Sequence, residues 1–355
     1  MIRLNGHRLS KSFKKQSDAR DWLKQTRGQI DQGLNYNASQ TSLTKFMDAW
    51  LTSKKSMLRA GTYEQYSYIA RDYILPALGS IKLSNLRPDQ IQALYDKLVT
   101  DEIGARTIKL VHSVIHGCLE HALKLGLVTR NLAEATTPPG YHHEEMHILT
   151  ESQVSQLLIA AQGEWHEHLY YLAIVTGARQ GELLGLKWTE VDWEGKFIRI
   201  LQQAKQVTGG GFEMAPVKTA AGRRTVDLGD GSIIRLRAQF ERVNDMRIAQ
   251  RARWKDNDLV FPSQVGTPDN PSGVLKDFKT LLKRSGLPPI RFHDLRHTAA
   301  SIMLTHGTPP IIVSHRLGHS KPSITLDIYG HLIPDSQQIV ATLMDKLIAP
   351  VAVEI

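Results

Sequence analysis

LGHSKPSITLDIYGH, residues 317–331, places His319 ten residues before Tyr329. A second short motif, HDLRH at residues 293–297, precedes it, and a third, TGARQGE at residues 176–182, lies far upstream. Together the three motifs supply two arginines, several histidines and a late tyrosine. Such a set can process a phosphodiester without a metal ion, because arginines hold the phosphate, histidines move protons and the tyrosine attacks.

The bulk composition is that of a globular protein with more than one domain. The chain has 355 residues, enough for two or three domains, and 41% of them are hydrophobic. It contains no apolar run of about 18 residues, so we expect no membrane span, and no apolar stretch follows the N-terminus as in a secretory signal. Cys118 is the single cysteine, which excludes an internal disulfide, argues against structural zinc and suits a reducing cytosol.

The charge is unevenly distributed along the chain. The net charge is +9 and the pI about 9.5. Residues 1–40 carry eight Lys or Arg against three Asp or Glu, residues 41–140 carry twelve against nine, and residues 141–355 carry 24 against 23. A basic front and a balanced back indicate a DNA-binding front followed by an enzyme. The alternative is a soluble protein that is merely basic.

The first segment predicts a hairpin followed by a helix. Asn5-Gly6 is a strong two-residue turn signal between two short strands. The next helix is predicted to begin at Ser17 or Asp18 and to end near Gly33. Basic side chains gather on this small sheet and are predicted to bind DNA, although a solvated basic face is the alternative: Arg3, Arg8, Lys11, Lys14 and Lys15.

Residues 42–136 predict a compact domain of four amphipathic helices. Apolar residues recur at helical spacing from Leu43 to Leu51. Thr62 and Gln65 form a capping-box pattern for the second helix, Pro88 suits the first turn of the third, and Thr107 is predicted to open the fourth. The aromatic and leucine stripes are interpreted as core rather than as DNA contacts.

The stretch 137–140, TPPG, is the clearest linker signal, and the last domain is predicted over residues 145–355. Thr150 and Gln153 form a capping box for its first helix. Helices are predicted at about 150–162, 165–176, 180–187, 230–252, 271–285, 293–306, 309–317, 322–329 and 335–347. A β-rich stretch at about 191–228 predicts one small antiparallel sheet, in which 220–222 is a hairpin turn that puts Lys218 at its tip.

Several residues of the last domain are suited to phosphate chemistry. Arg179 can make two hydrogen bonds to phosphate oxygens, and Glu182 either holds it or stabilises the first turn of its helix. His293 and Arg296 are three apart, so one helix face carries both. The alternative is an ordinary His–Arg pair on a solvated helix. His297 is predicted to point elsewhere and to be structural.

The late histidine and tyrosine complete the candidate site. Gly318 suits the left-handed end of a helix, which presents His319 at the helix end. A phenol has a pKa near 10, so Tyr329 needs help to lose its proton, and His293 is the predicted acceptor. The alternative is a half-buried tyrosine on an amphipathic helix.

The order and wording of these motifs resemble the tyrosine recombinase family, the phage-type integrases, over residues 43–347. The resemblance implies a mainly α multidomain fold with small antiparallel sheets. It comprises a partial arm-type DNA-binding hairpin and helix (1–38), a helical, SAM-like core-binding domain (42–136) and a mixed α/β catalytic domain (145–355). Six positions match in family order, with Tyr329 as nucleophile: Arg179, Lys218, His293, Arg296, His319 and Tyr329.

The resemblance also implies roles and partners. Lys218 protonates the departing 5′ oxygen, and His319 donates a hydrogen bond to the phosphate. Separately, Arg223 and Arg224, near Lys218 on the chain, are predicted to bind DNA. The partners are double-stranded DNA with attachment-type sites and a homotetramer on two duplexes, with an excisionase or DNA-bending protein as an optional addition. No cofactor or metal is expected, and the place of action is the cytosol of a bacterial host.

Two other functions fit parts of the pattern. A type IB topoisomerase uses the same chemistry without exchanging strands, although the helical front domain and the arm-like hairpin favour recombination. A DNA-binding regulator with a decayed active site is the non-enzymatic alternative, and the six filled positions argue against it.

Overall fold

The computed structural model describes residues 2–4, 7–9, 12–31, 39–140, 147–206, 211–217, 219–330 and 337–348. The chain divides into two compact units, Met1–Glu144 and Glu145–Ile355. Helices dominate both, with small antiparallel sheets, which confirms the predicted fold class. Within the described residues, no helix combines the length and the apolar character needed to cross a membrane.

The N-terminal segment forms the predicted hairpin and helix. Strands β1 (Ile2–Leu4) and β2 (His7–Leu9) pair antiparallel, with Arg3 opposite Arg8. Helix α1 (Gln16–Asp31) follows. Among the predicted DNA-binding residues, Lys14 and Lys15 are exposed, whereas Lys11 lies outside the described residues, as does the Asn5-Gly6 turn.

The rest of the first unit is a helical bundle. Its helices are α2 (Leu43–Lys54), α3 (Ala60–Ile69), α4 (Leu75–Leu78), α5 (Pro88–Thr100) and α6 (Ala105–Lys124), with a π-helical turn (Ala70–Ile74) joining α3 to α4. The predicted stripes form the core, where Met47, Trp50 and Ile115 are buried. Cys118 is also buried, and burial raises the pKa of its thiol to about 12, so it behaves as a small apolar side chain.

Two predicted helix starts in this unit are wrong. Helix α3 begins at Ala60, and the N–H of Thr62 already donates to the carbonyl of Arg59, so Thr62 lies inside the first turn rather than capping it. Helix α6 begins at Ala105 after Gly104, two residues before Thr107. In both cases the helix continues back to a residue with extended backbone, since that residue's carbonyl can accept the first helical hydrogen bond without a side-chain cap.

The second unit contains the predicted series of helices. They are α7 (Glu151–Ala160), α8 (Glu167–Thr176), α9 (Gln180–Leu184), α10 (Asp230–Gln250), α11 (Pro271–Arg284), α12 (Asp294–Thr305), α13 (Pro310–Leu317), α14 (Pro322–Tyr329) and α15 (Gln337–Ile348). The predicted capping box at Thr150 and Gln153 is present. The main core packs α8 against α9, α10 and α12, and α9 against strand β5 (Gln202–Gln206).

The strands of the second unit depart from the prediction of one sheet with a hairpin turn at 220–222. Strand β4 (Phe197–Ile200) lies between β3 (Val191–Asp192) and β7 (Arg224–Asp227), while β5 (Gln202–Gln206) pairs only with β6 (Phe212–Pro216). Residues 220–222 form a 3₁₀ turn closed by a hydrogen bond from Gly222 N–H to the Thr219 hydroxyl. The chain therefore leaves the ladder after β6 and rejoins the other sheet at β7.

Candidate active site

Arg179 occupies the break between α8 and α9. Helix α8 ends at Gly177, whose φ of 63° is left-handed, and a Cβ there would come within 2.4 Å of Leu317 Cδ2. Arg179 is extended and precedes the first residue of α9. Its side chain keeps 40% of its surface exposed, so the guanidinium is available to a ligand.

Glu182 holds Arg179 in two ways, so both roles proposed from the sequence are present. One carboxylate oxygen accepts from the Arg179 guanidinium at 2.7 Å, and the other accepts from its backbone N–H at 3.0 Å. The carboxylate is 2% exposed. Burial alone would raise its pKa, but the charges of Arg224 and Arg179 outweigh burial and lower it.

Arg224, predicted to bind DNA, has its donors directed into the protein. Its guanidinium donates to Glu182 at 2.9 Å, to the Arg316 carbonyl at 2.7 Å and to the Gly222 carbonyl at 3.1 Å. The side chain is 5% exposed, which leaves little surface for a DNA groove. Its contacts join α9, the end of α13 and the turn before β7, whereas the adjacent Arg223 is exposed.

Arg296 lies buried in the first turn of α12. One terminal nitrogen, Nη1, donates to the Gly177 carbonyl at 2.7 Å. The other, Nη2, is buried and has no hydrogen-bond partner among the described residues. Burial and the nearby charge of Arg179 lower the pKa of Arg296 to about 9, so the guanidinium stays charged at neutral pH.

His293 and His319 are both neutral imidazoles at pH 7. Gly318 ends α13 with a φ of 72°, as predicted, and His319 Nδ1 lies 2.8 Å from the Thr325 hydroxyl. For His293, which keeps an exposed face, and for half-buried His319, desolvation and the charges of neighbouring groups lower the pKa to about 4. Arg296 and Arg179 contribute to both shifts.

Tyr329 is the last residue of α14, and its phenol contacts His297, which was predicted to point elsewhere. The Tyr329 hydroxyl lies 2.5 Å from Nδ1 of His297, and the side chain is 1% exposed. Burial raises the pKa of the phenol to about 12, against the opposing charge of Arg296. The prediction that His297 points away from the site is therefore wrong. Its position four residues after His293 puts both on one helix face, and that was the available signal.

The described residues bring together five of the six predicted positions. The charge of Arg179 acts on His293, Arg296 and His319, and that of Arg296 acts on Tyr329. Lys218 lies outside the described residues. Two guanidinium groups, neutral imidazoles and a phenol suit a phosphodiester, with donors for its oxygens and an oxygen nucleophile beside them.

Comparisons with known families agree with this chemistry. Residues 147–335, more than half of the chain, match the family described as the phage integrase family. Residues 42–99 match the N-terminal SAM-like domain of phage integrases.

Full-length relatives show the same kinship. The chain is 32% identical to a "Tyrosine recombinase XerC-like" protein of Caldanaerobacter subterraneus subsp. tengcongensis, an alignment that covers 97% of this chain and 94% of the relative. It is 27% identical to an "Integrase" of Streptomyces ambofaciens, with 97% and 90% covered.

Solved structures share the fold. The Tn1549 transposon integrase in complex with transposon right end DNA superposes with a TM-score of 0.72 at 18% identity, covering 87% of this chain and 99% of that one. A lambda integrase tetramer bound to a Holliday junction gives 0.63 at 19% identity, covering 92% and 89%. At these identities the superpositions establish the fold, and the sequence matches establish the kinship. The chain belongs to the phage integrase family, the tyrosine recombinases that cleave and rejoin DNA at specific sites.

Proposed function

We propose that the chain recombines attachment-type sites of a mobile element, with Tyr329 as the nucleophile. The phenol oxygen attacks the scissile phosphate, forms a 3′-phosphotyrosyl link and releases a 5′ hydroxyl. The 5′ hydroxyl of a partner strand then attacks that link and restores a phosphodiester. The phosphotyrosyl link conserves the bond energy of the broken strand, so neither ATP nor another cofactor is required.

The observation that carries this proposal is the unpartnered nitrogen of Arg296. A buried N–H group without an acceptor is uncommon in folded proteins and costs about 1–3 kcal/mol. A nonbridging phosphate oxygen would supply the missing acceptor to Nη2, next to the exposed guanidinium of Arg179. The site is thus arranged for an anion before the anion arrives.

The other roles follow from the charges around that position. Arg179, Arg296 and His319 stabilise the charge of the pentacoordinate phosphate, and Lys218 protonates the departing 5′ oxygen. His293, the base in the prediction from the sequence, is neutral at pH 7, which is the protonation state that a proton acceptor requires. Glu182 fixes Arg179, and Arg224 acts through Glu182 rather than on DNA.

The proposed assembly is a homotetramer on two duplexes, since strands must pass between two DNA molecules. The last helix, α15, supports it with apolar side chains that are exposed in the single chain: Met344, Leu347 and Ile348. Such a face suits a neighbouring subunit. An excisionase or a DNA-bending protein is an optional partner, and the reaction takes place at the host chromosome in the bacterial cytosol.

The test uses nicked suicide substrates made from the ends of the element that carries the gene. Wild type is expected to form an SDS-resistant protein–DNA adduct, and Tyr329→Phe none. Arg296→Lys keeps the charge but loses the planar two-donor geometry, so its adduct should form about 10²–10³-fold more slowly. Arg284→Lys, on the surface in an ion pair with Glu164, is the matched control and should keep the wild-type rate.

Each remaining outcome selects another function. Relaxation of supercoiled DNA without recombinant joints would identify a topoisomerase. Tight binding of the same DNA without any adduct from wild type would identify a regulator.

A further inference from the structure

The phenol of Tyr329 contacts one imidazole, that of His297. The Oη–Nδ1 distance is 2.5 Å and the two ring centroids are 5.7 Å apart. The ring of His293 packs edge-on against the ring of His297, with their centroids 5.2 Å apart. Among the described contacts, it is therefore His297 and not His293 that meets the nucleophilic oxygen.

The surroundings of His297 keep its ring neutral but able to accept a proton. Burial lowers the pKa of this imidazole, while the carboxylate of Asp294, one turn before it on the helix, opposes that shift. A phenol that donates to Nδ1 requires the tautomer with its proton on Nε2. The titratable or charged groups that act on His297, or on which it acts, are Arg291, His293, Asp294, Arg296, His319 and Tyr329.

We propose that His297 is a further catalytic residue, the base that takes the phenolic proton as Tyr329 attacks. The Oη–H bond breaks and its proton moves to Nδ1 of His297. The electron pair left on Oη forms the bond to phosphorus, while the bond from phosphorus to the 5′ oxygen breaks and that oxygen takes its proton from Lys218. In the rejoining step the 5′ oxygen forms its bond to phosphorus while the bond from phosphorus to Oη breaks. Lys218 takes the proton of the 5′ hydroxyl, and His297 returns its proton to Oη. This assignment rests on the proposed function and replaces His293 in the role of base.

The first test measures adduct formation against pH on the nicked substrates described above. His297→Asn puts an amide near the position of Nδ1, preserving a polar contact without a base. We expect its rate to be about 10²–10⁴-fold below that of wild type. Above about pH 6.5 the wild-type rate should be flat, because the imidazole is already neutral. The variant's rate should rise about tenfold per pH unit, because the phenol must now lose its proton to solvent.

Two comparisons separate a base from other roles. A substrate with sulfur in place of the bridging 5′ oxygen needs no protonation of its leaving group, so it should rescue Lys218→Ala but not His297→Asn. His306→Asn, an exposed histidine at the end of the same helix, should behave as wild type. A His297→Asn enzyme with the wild-type rate, or one that is slow but equally flat with pH, would overturn the proposal. So would a pH-dependent rate that appears in His293→Asn instead.

The second test needs neither DNA nor a variant of His297. Two-bond ¹H–¹⁵N correlation spectra of the histidine rings report which nitrogen carries the proton. We expect His297 in wild type to have its proton on Nε2, with an Nδ1 resonance that shifts in Tyr329→Phe. A proton on Nδ1 would overturn the proposal. If this spectrum is as expected while wild type forms no adduct, the failure lies with the proposed function and not with the contact.

Discussion

At the scale of single residues, the site depends on one buried carboxylate. Glu182 binds the guanidinium groups of Arg179 and Arg224, and the Arg224–Glu182 pair is almost fully buried. A buried pair is not in itself strongly stabilising, because both charges lose their hydration. Removing one partner is costly, however, since the remaining charge has neither water nor a counter-ion.

Glu182→Ala should therefore destabilise the protein by about 3–5 kcal/mol, measured by urea unfolding without DNA. Glu213→Ala breaks an exposed pair with Lys205 and should cost at most about 1 kcal/mol. The same Glu182 variant should also form adduct more slowly, because Arg179 is no longer held. An equal loss of unfolding free energy in the two variants would mean that the buried ion pairs of Glu182 do not stabilise the site.

The neutral histidines give the fold a pH dependence with a definite sign. Both His293 and His319 have a folded-state pKa near 4, against about 6.5 in an unfolded chain. Between these values the unfolded state binds more protons, so the free energy of unfolding should be constant above about pH 6.5 and fall as the pH drops towards 4.

Thermal melts from pH 7.5 to 5 would measure this fall. His319→Asn should weaken it, because the variant has no imidazole at that position to protonate on unfolding. His315→Asn, an exposed residue of α13, is the control and should leave the fall unchanged. A His319 variant that loses stability with pH as steeply as wild type would contradict the assignment.

The candidate positions could be predicted from residue identity and spacing, because cleavage of a phosphodiester requires cationic side chains and a nucleophile close together. Arg224 and His297 were misassigned for one reason, which is that their contacts lie far away along the chain. Arg224 meets the carbonyl of Arg316, and His297 meets Tyr329. Such pairings depend on tertiary packing, which local patterns do not encode.

At the scale of elements, helix ends set the position of the chemistry. Helices α8 and α13 both end in left-handed glycines, Gly177 and Gly318, and each is followed within two residues by a side chain of the site. The Gly318 end was predictable, since glycine is the usual residue in that conformation. The excursion between β6 and β7 was not, because strand pairing is non-local.

Gly318→Ala tests the helix end. Its φ of 72° disfavours a side chain, and a Cβ there would lie 2.9 Å from the Ala221 carbonyl and from Arg224 Nη1. Gly307 has a similar φ of 78° with open space around it, so Gly307→Ala isolates the backbone strain, about 1–2 kcal/mol.

We expect Gly318→Ala to cost more than Gly307→Ala in urea unfolding and to slow adduct formation, because it displaces His319. The Gly307 variant should keep its activity. If the two variants lose the same stability and both remain active, the crowding around Gly318 does not matter.

At the scale of the whole molecule, core and charge are divided along the chain. One hydrophobic core lies within residues 43–133, and the others lie within residues 149–329. The helical periodicity of the first unit was enough to predict its core. The basic excess lies mainly in residues 1–40.

Deleting residues 1–38 should weaken DNA binding because phosphate contacts are lost. The same loss should make the remaining binding less dependent on salt. Each lost phosphate contact lowers the magnitude of the slope of log K against log salt by about 0.9, so the five predicted DNA-binding residues account for up to about 4.5. The matched full-length variant replaces only Lys14 and Lys15 with glutamine and should lower the slope by up to about 2. Titrations at several salt concentrations measure both, and an unchanged slope in the deletion would show that the arm does not touch DNA.

The burial of Tyr329 has a consequence for the cell that carries this protein. Because only 1% of the Tyr329 surface is exposed, a duplex that contacts only the outside of the enzyme does not reach this residue. We therefore expect chromosomal DNA met at random to be left intact. Cutting requires a bound phosphate beside the phenol, so we expect the choice of a site and the ability to cut it to be coupled.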